Sequence, residues 1–165
     1  MSAIAVFIGA PGSGKTKTGK RVAKALGVRH IDTDKVVVAA HGPIPQIFAE
    51  HGERHFRALE REAVASALEG GGVVSLGGGA VLDEDTRRDL ATATVVLLTI
   101  EADAVRSRIG NGKRPLVTDL DSWKRLVTER MPLYESLATR TVDTTSRPVD
   151  GIVEELARWI EEEGL

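Results

Sequence analysis

GAPGSGKT, residues 9–16, is the most informative stretch of the chain. Its Gly9, Gly14, Lys15 and Thr16 fit G-x-x-x-x-G-K-[ST], a pattern that carries meaning only between a strand and a helix. Both flanks qualify. Residues 3–9, AIAVFIG, are a short apolar run ending in glycine, as in a buried parallel strand. Residues 15–27 carry Val22, Ala23 and Leu26 at helical spacing and stop at Gly27. In that setting the glycines let the main chain approach a phosphate. Successive N–H groups, from Gly12 and Ser13 through Lys17, turn inward, and the helix adds its positive end. Lys15 would reach the β- and γ-phosphates of ATP, and the Thr16 hydroxyl would ligate Mg²⁺. The loop alone leaves three classes open: a small-molecule kinase, a GTPase-like switch and a motor-type ATPase.

Outward from the loop, strands and helices alternate. Residues 28–34, 72–79, 92–100 and 140–145 read as four further strands. Helices are expected over 44–52, 53–70, 102–109, 122–138 and 149–164, with Pro132 kinking or dividing the fourth of these. Such alternation predicts an α/β fold: one five-stranded parallel sheet flanked by helices, in a single domain over residues 1–165. Residues 110–121, GNGKRPLVTDLD, have little periodicity and are the expected lid loop.

Bulk properties exclude several functions. The 165 residues suit one core. The net charge of −2 gives no global basic field for nucleic acid. With no cysteine there is no disulfide, thiol catalysis or Cys-ligated metal. The usage agrees with a cytoplasmic location. No run reaches membrane-spanning length, and the apolar start reads as a first strand, not a signal peptide. His51 and His55 are four apart, but HGERH places Glu one position late for a zinc protease helix, so they read as surface histidines. Trp123 and Trp159 read as packing residues, and Tyr134 as core or pocket wall.

The residues at strand ends carry the chemistry, because ligands of open parallel sheets bind at the carboxyl edge. Asp32 and Asp34 close the second strand. Two apart on extended chain, they would project to one side, and Asp34 could equally cap the next helix. Gly77, Gly78 and Gly79 follow the third strand and offer backbone N–H groups with no side chain in the way; a plain tight turn is the alternative. Arg57 and Glu60 share a helix face, which also describes a surface ion pair, and Arg130 admits the same reading.

Taken in order, GAPGSGKT, ALGVRHIDTD, IFAEHGERHFRALE, VVSLGGGAV, KRPLV and ERMPLYESLA resemble the shikimate kinase family over nearly the whole chain. That family is similar in fold to nucleoside monophosphate kinases, with a substrate-binding helical region (about 34–62 here) and a lid. The resemblance implies transfer of the ATP γ-phosphoryl group to the 3-hydroxyl of shikimate, a step in chorismate synthesis. It implies that Asp34 binds the acceptor hydroxyls and acts as base, and that Asp32 holds Mg²⁺ through water. Arg57 and Arg130 would clamp the shikimate carboxylate, with Glu60 orienting Arg57 and Gly77, Gly78 and Gly79 presenting backbone. Arg114 in the lid would meet the transferring phosphoryl group, and Arg147 would lie beside adenine, as would Arg106 or Arg108. Lys17 stands where the family has a hydroxyl residue, so its backbone N–H is the expected contact to the α-phosphate. The expected partners are ATP and shikimate, with no nucleic acid and no membrane, and the expected state is a monomer.

Overall fold

The computed structural model describes residues 2–106 and 119–163. The chain forms β1 (Ala5–Gly9), α1 (Lys15–Leu26), β2 (His30–Asp32), α2 (Thr33–His41), α3 (Ile44–Glu69) and β3 (Val73–Ser75). A 3₁₀ turn (Ala80–Leu82) follows, then α4 (Glu84–Leu90), β4 (Val95–Thr99), α5 (Ala102–Val105), α6 (Leu120–Leu137), β5 (Arg140–Asp143) and α7 (Val149–Glu162). The five strands make one sheet in the order β2-β3-β1-β4-β5, and every pairing is parallel.

Strand alternation sorts the core onto two faces. Val6, Ile8, Val74, Leu76, Val95 and Leu97 meet Val64 of α3, Leu90 of α4 and Tyr134 of α6. Ala5, Phe7, Val73, Val96 and Leu98 meet Val22 of α1 and Ile152, Leu156 and Ile160 of α7. Burying each large aliphatic side chain contributes about 1.5–3 kcal/mol, so both helical layers are firmly held. Because α1 and α4 leave the adjacent strands β1 and β3 toward opposite faces, a crevice opens at the carboxyl edge above them.

Three local outcomes differ from the sequence expectation. The run KVVVAAH forms α2 although three consecutive valines favour extended chain. The helix holds because Asp32 caps it and Val37 packs on Ile47 and Phe56. Residues 80–91, for which no element is expected, make the 3₁₀ turn and α4, the latter capped by Asp83 Oδ1 accepting from Thr86 N–H at 3.0 Å. Helix α6 passes undivided through Pro132. Pro132 and Thr128, one turn earlier, are both exposed, so the carbonyl that the proline cannot serve faces water. The expected break between 52 and 53 is present inside α3, where Gly52 leaves helical geometry at φ 85°.

Candidate active site

The glycine loop joins β1 to α1 and turns around Lys15, whose Nζ donates to Gly9 O at 2.6 Å. Three loop carbonyls are held from outside. Trp123 Nε1 of α6 donates to Pro11 O at 2.8 Å and Ser75 Oγ of β3 to Lys15 O at 2.8 Å, while Thr144 Oγ1 after β5 shares its one proton between Thr99 O at 2.9 Å and Ser13 O at 3.2 Å. A carbonyl bonded outward is withdrawn from the hollow, which leaves donors to line it. Ser13 Oγ is the one buried side-chain atom without a partner among the described residues. The hollow is a cavity of about 610 Å³ lined by Lys15, Thr16, Asp32, Asp34, Gly78 and Thr144, with Gly12, Gly14 and the exposed Lys17 also on its wall. A larger depression of about 1050 Å³ lies elsewhere, between residues such as Ala3, Arg61, Thr94 and Glu163, and contains none of the loop residues.

Thr16 Oγ1 donates to Asp32 Oδ2 at 2.5 Å. A hydroxyl and a carboxylate beside a phosphate cradle are hard oxygen donors, the set that suits Mg²⁺. Among the described residues no group of three or more His, Cys, Asp or Glu could hold a metal. A cation here would therefore draw further ligands from phosphate and water. The geometry of the DTD segment corrects the extended reading: β2 ends at Asp32, and Asp34 lies in the first turn of α2. Asp32, and not Asp34 as expected, is the cap, its Oδ1 accepting from Asp34 N–H at 2.9 Å and from Lys35 N–H at 3.3 Å. One carboxylate thus caps the helix and meets Thr16 at once.

Beyond Asp34 the acceptor side is built from α3, α6 and the glycine turn. Arg57 Nη1 donates to Glu60 Oε1 at 2.9 Å, and Arg57 Nη2 lies 3.3 Å from Glu53. This is no surface pair, because Glu60 is only 3% exposed. Burial raises the Glu60 pKa, and the Arg57 charge and hydrogen bond oppose that rise. Arg130 of α6 is 6% exposed. The glycine turn runs between these groups. A Cβ on Gly77 would lie 2.6 Å from Asp34 Oδ1 and 2.8 Å from Glu60 Oε2, and one on Gly79 would collide with the Arg57 guanidinium. A Cβ on Gly78 would meet Arg130 Nη1 at 3.5 Å. Close approach therefore requires glycine at 77 and 79, and the turn brings Asp34, Glu60, Arg57 and Arg130 around one point.

Of the two roles expected for Tyr134, the structure shows the core one. It is fully buried, and its hydroxyl donates to Gly78 O at 2.5 Å. Burial pushes its pKa up, while the Arg130 charge and hydrogen bond pull it back. Trp123 packs with Ala10, Ile100 and Val105, as expected of a packing residue, and also holds the loop. Trp123, Thr144 and Ser75 meet carbonyls of the loop, and the sequence reading did not assign them to the site. Each acts through a backbone carbonyl far along the chain, so no local spacing marks it.

Arg147 lies between β5 and α7 and is held by Glu155 at 3.3 and 3.4 Å, with Arg140 at 3.6 Å from the same carboxylate. The Arg147 hydrogen bond is the main cause of a lowered Glu155 pKa. Arg106 pairs with Asp103 at 3.3 Å on the surface. Arg108, Arg114 and lid residues 110–118 lie outside the described residues. His51 and His55 stack with ring centroids 4.6 Å apart on the surface of α3. His30 reaches Ser75 Oγ through Nε2 at 2.9 Å, and burial holds its pKa below 6.5, opposed by Asp32. No helix among the described residues is long and apolar enough to cross a membrane.

Comparison with known proteins places nearly the whole chain in one family. The family model described as shikimate kinase matches residues 11–161. The chain is 49% identical to the shikimate kinase of Salinispora arenicola, over 95% of this chain and 97% of that one. It is 48% identical to the shikimate kinase of Mycobacterium avium, over 93% and 90%. Among solved structures it is similar to the Acinetobacter baumannii shikimate kinase in complex with shikimate, at TM-score 0.88 and 26% identity over 98% and 94%. It is also similar to that of Aquifex aeolicus, at TM-score 0.81 and 30% identity over 98% of each chain.

Proposed function

The chain belongs to the shikimate kinase family, and from that premise we propose how its residues divide the transfer of the ATP γ-phosphoryl group to the 3-hydroxyl of shikimate. The observation that carries the reading is a single cavity. Asp34 and Gly78, from the acceptor side, line the same hollow as Lys15 and Thr16 of the phosphate loop.

The loop N–H groups of residues 12–17 hold the phosphates, and Lys15 leaves Gly9 O to meet the β- and γ-phosphates. Arg57 and Arg130 take the shikimate carboxylate. The planar guanidinium suits a bidentate contact that lysine cannot reproduce. Glu60 fixes Arg57 at 2.9 Å, and the backbone of Gly77, Gly78 and Gly79 closes the floor. Asp34 orients the acceptor hydroxyl. A bond forms between that oxygen and the γ-phosphorus as the bond from phosphorus to the bridging oxygen breaks, and ADP departs. The hydroxyl proton passes to Asp34 and then to water. Charge gathers on the equatorial oxygens of a loose transition state, so Lys15 and Arg114 act by position and electrostatics. Mg²⁺, held by Thr16 and through water by Asp32, would neutralise charge on the phosphates when bound. Arg147 serves the adenine side once it exchanges Glu155 for the base. A cysteine-free chain acting on small soluble substrates fits a cytoplasmic enzyme, and the proposed working state is a monomer.

The test is ADP release by the purified protein with MgATP, with and without shikimate. Release that depends on shikimate and yields shikimate 3-phosphate is the expected result. ADP release indifferent to shikimate would overturn the assignment of the acceptor.

A further inference from the structure

Gly19 lies in the interior of α1, where glycine weakens a helix relative to alanine. Here a Cβ would collide with Ser75 Oγ and lie 3.1 Å from His30 Nε2. The residue makes room for a polar pair behind the phosphate loop. Ser75 is 1% exposed and ends β3, where its register partner on β2 is Asp32. Its hydroxyl has one proton to give. Lys15 O, at 2.8 Å, can only accept, so the proton goes there. Ser75 Oγ then accepts from His30, 2.9 Å away, which requires the tautomer with hydrogen on Nε2.

We propose that His30 and Ser75 are positioning residues for the nucleotide phosphates, acting as a relay of hydrogen bonds from β2 through β3 to the carbonyl of Lys15. Neither touches the nucleotide. Lys15 opens α1, so a fixed Lys15 carbonyl fixes the peptide plane that orients the next N–H, that of Thr16, at the phosphate end of the helix. The adjacent Thr16 hydroxyl is set by Asp32, so two neighbouring residues of that turn are each held by a group at the carboxyl edge of β2 or β3. The charged groups facing His30 are Lys20 of α1, Asp32 of β2 and Lys35 of α2. The relay depends on a donor at Nε2 and not on a charge.

The inference rests on the loop being a nucleotide site, so the experiment reads nucleotide binding and does not involve shikimate. MgADP is titrated calorimetrically into the wild type, Ser75→Ala, His30→Leu and His30→Gln, with a thermal melt of each. Ser75→Ala and His30→Leu should weaken MgADP binding about fivefold, the size of one neutral hydrogen bond. His30→Gln keeps an N–H donor and should return affinity to within about twofold of the wild type. In turnover the KM for ATP should rise while kcat and the KM for shikimate hold. Gly19→Ala is the second route: it favours the helix yet displaces Ser75 Oγ, and should weaken MgADP in a protein that still melts cooperatively. Unchanged MgADP affinity in Ser75→Ala and His30→Leu, with only a lower Tm, would overturn the proposal. So would a Gln variant that binds as poorly as the Leu variant.

Discussion

The nucleotide side and the acceptor side of the cavity are held in opposite ways. In the proposed division the main chain binds on the nucleotide side, where side chains from α6, β3 and the end of β5 meet its carbonyls at 2.8–3.2 Å. On the acceptor side the proposed binding groups are side chains, and Gly77 and Gly79 leave room for them where a Cβ would collide. The contrast follows from the ligands. A polyphosphate presents many equivalent oxygens, which a ring of N–H groups satisfies without regard to shape. A small hydroxylated carboxylate must be told from its analogues, and that needs directed charge: two arginines and two carboxylates around one turn. Disturbing one side should therefore change one substrate's parameters and spare the other's.

The largest expected break is at Asp34, where the two sides meet. Asp34→Asn should lower kcat about 10²–10⁴-fold, the usual contribution of a base, with the KM for ATP nearly unchanged in coupled ADP release. If the KM for ATP rose instead with kcat intact, Asp34 would belong to the nucleotide side. Next is Gly79→Ala, whose Cβ would drive Arg57 from its place. The KM for shikimate should rise about tenfold or more, within the range for losing a charged hydrogen bond, while MgADP binding holds. A smaller effect is expected at Tyr134→Phe, which leaves Gly78 O without its buried donor. Thermal or urea unfolding should show a loss of about 1–3 kcal/mol, with a modest rise in shikimate KM. Unaltered stability would mean that the carbonyl finds another donor.

The same contrast explains how much could be read from the sequence. The nucleotide side begins from one contiguous stretch, and GAPGSGKT between an apolar run and a helical run implied the loop, the parallel sheet and its carboxyl edge together. Arg57 and Glu60 were visible as a pair three apart, but spacing cannot distinguish a surface pair from a buried one; the 3% exposure of Glu60 does. The residues that hold the loop were hidden for a different reason. Ser75, Trp123 and Thr144 lie 60, 112 and 131 residues from the carbonyls they bind, and strand order sets those meetings. Helix α2 was hidden because its valines argue for a strand, and tertiary packing of Val37 and the Asp32 cap outweigh that preference. At Pro132 the rule that proline divides a helix gave way to solvent, which serves the freed carbonyl.

The most direct measurement is a calorimetric titration of Arg57→Ala with shikimate and, separately, with MgADP, beside the wild type. Shikimate affinity should fall about ten- to a hundredfold, as expected for a lost charge-assisted contact, while MgADP affinity stays that of the wild type. Shikimate bound equally well by both proteins, or both ligands weakened alike, would contradict a cavity divided into a backbone-built nucleotide side and an arginine-built acceptor side.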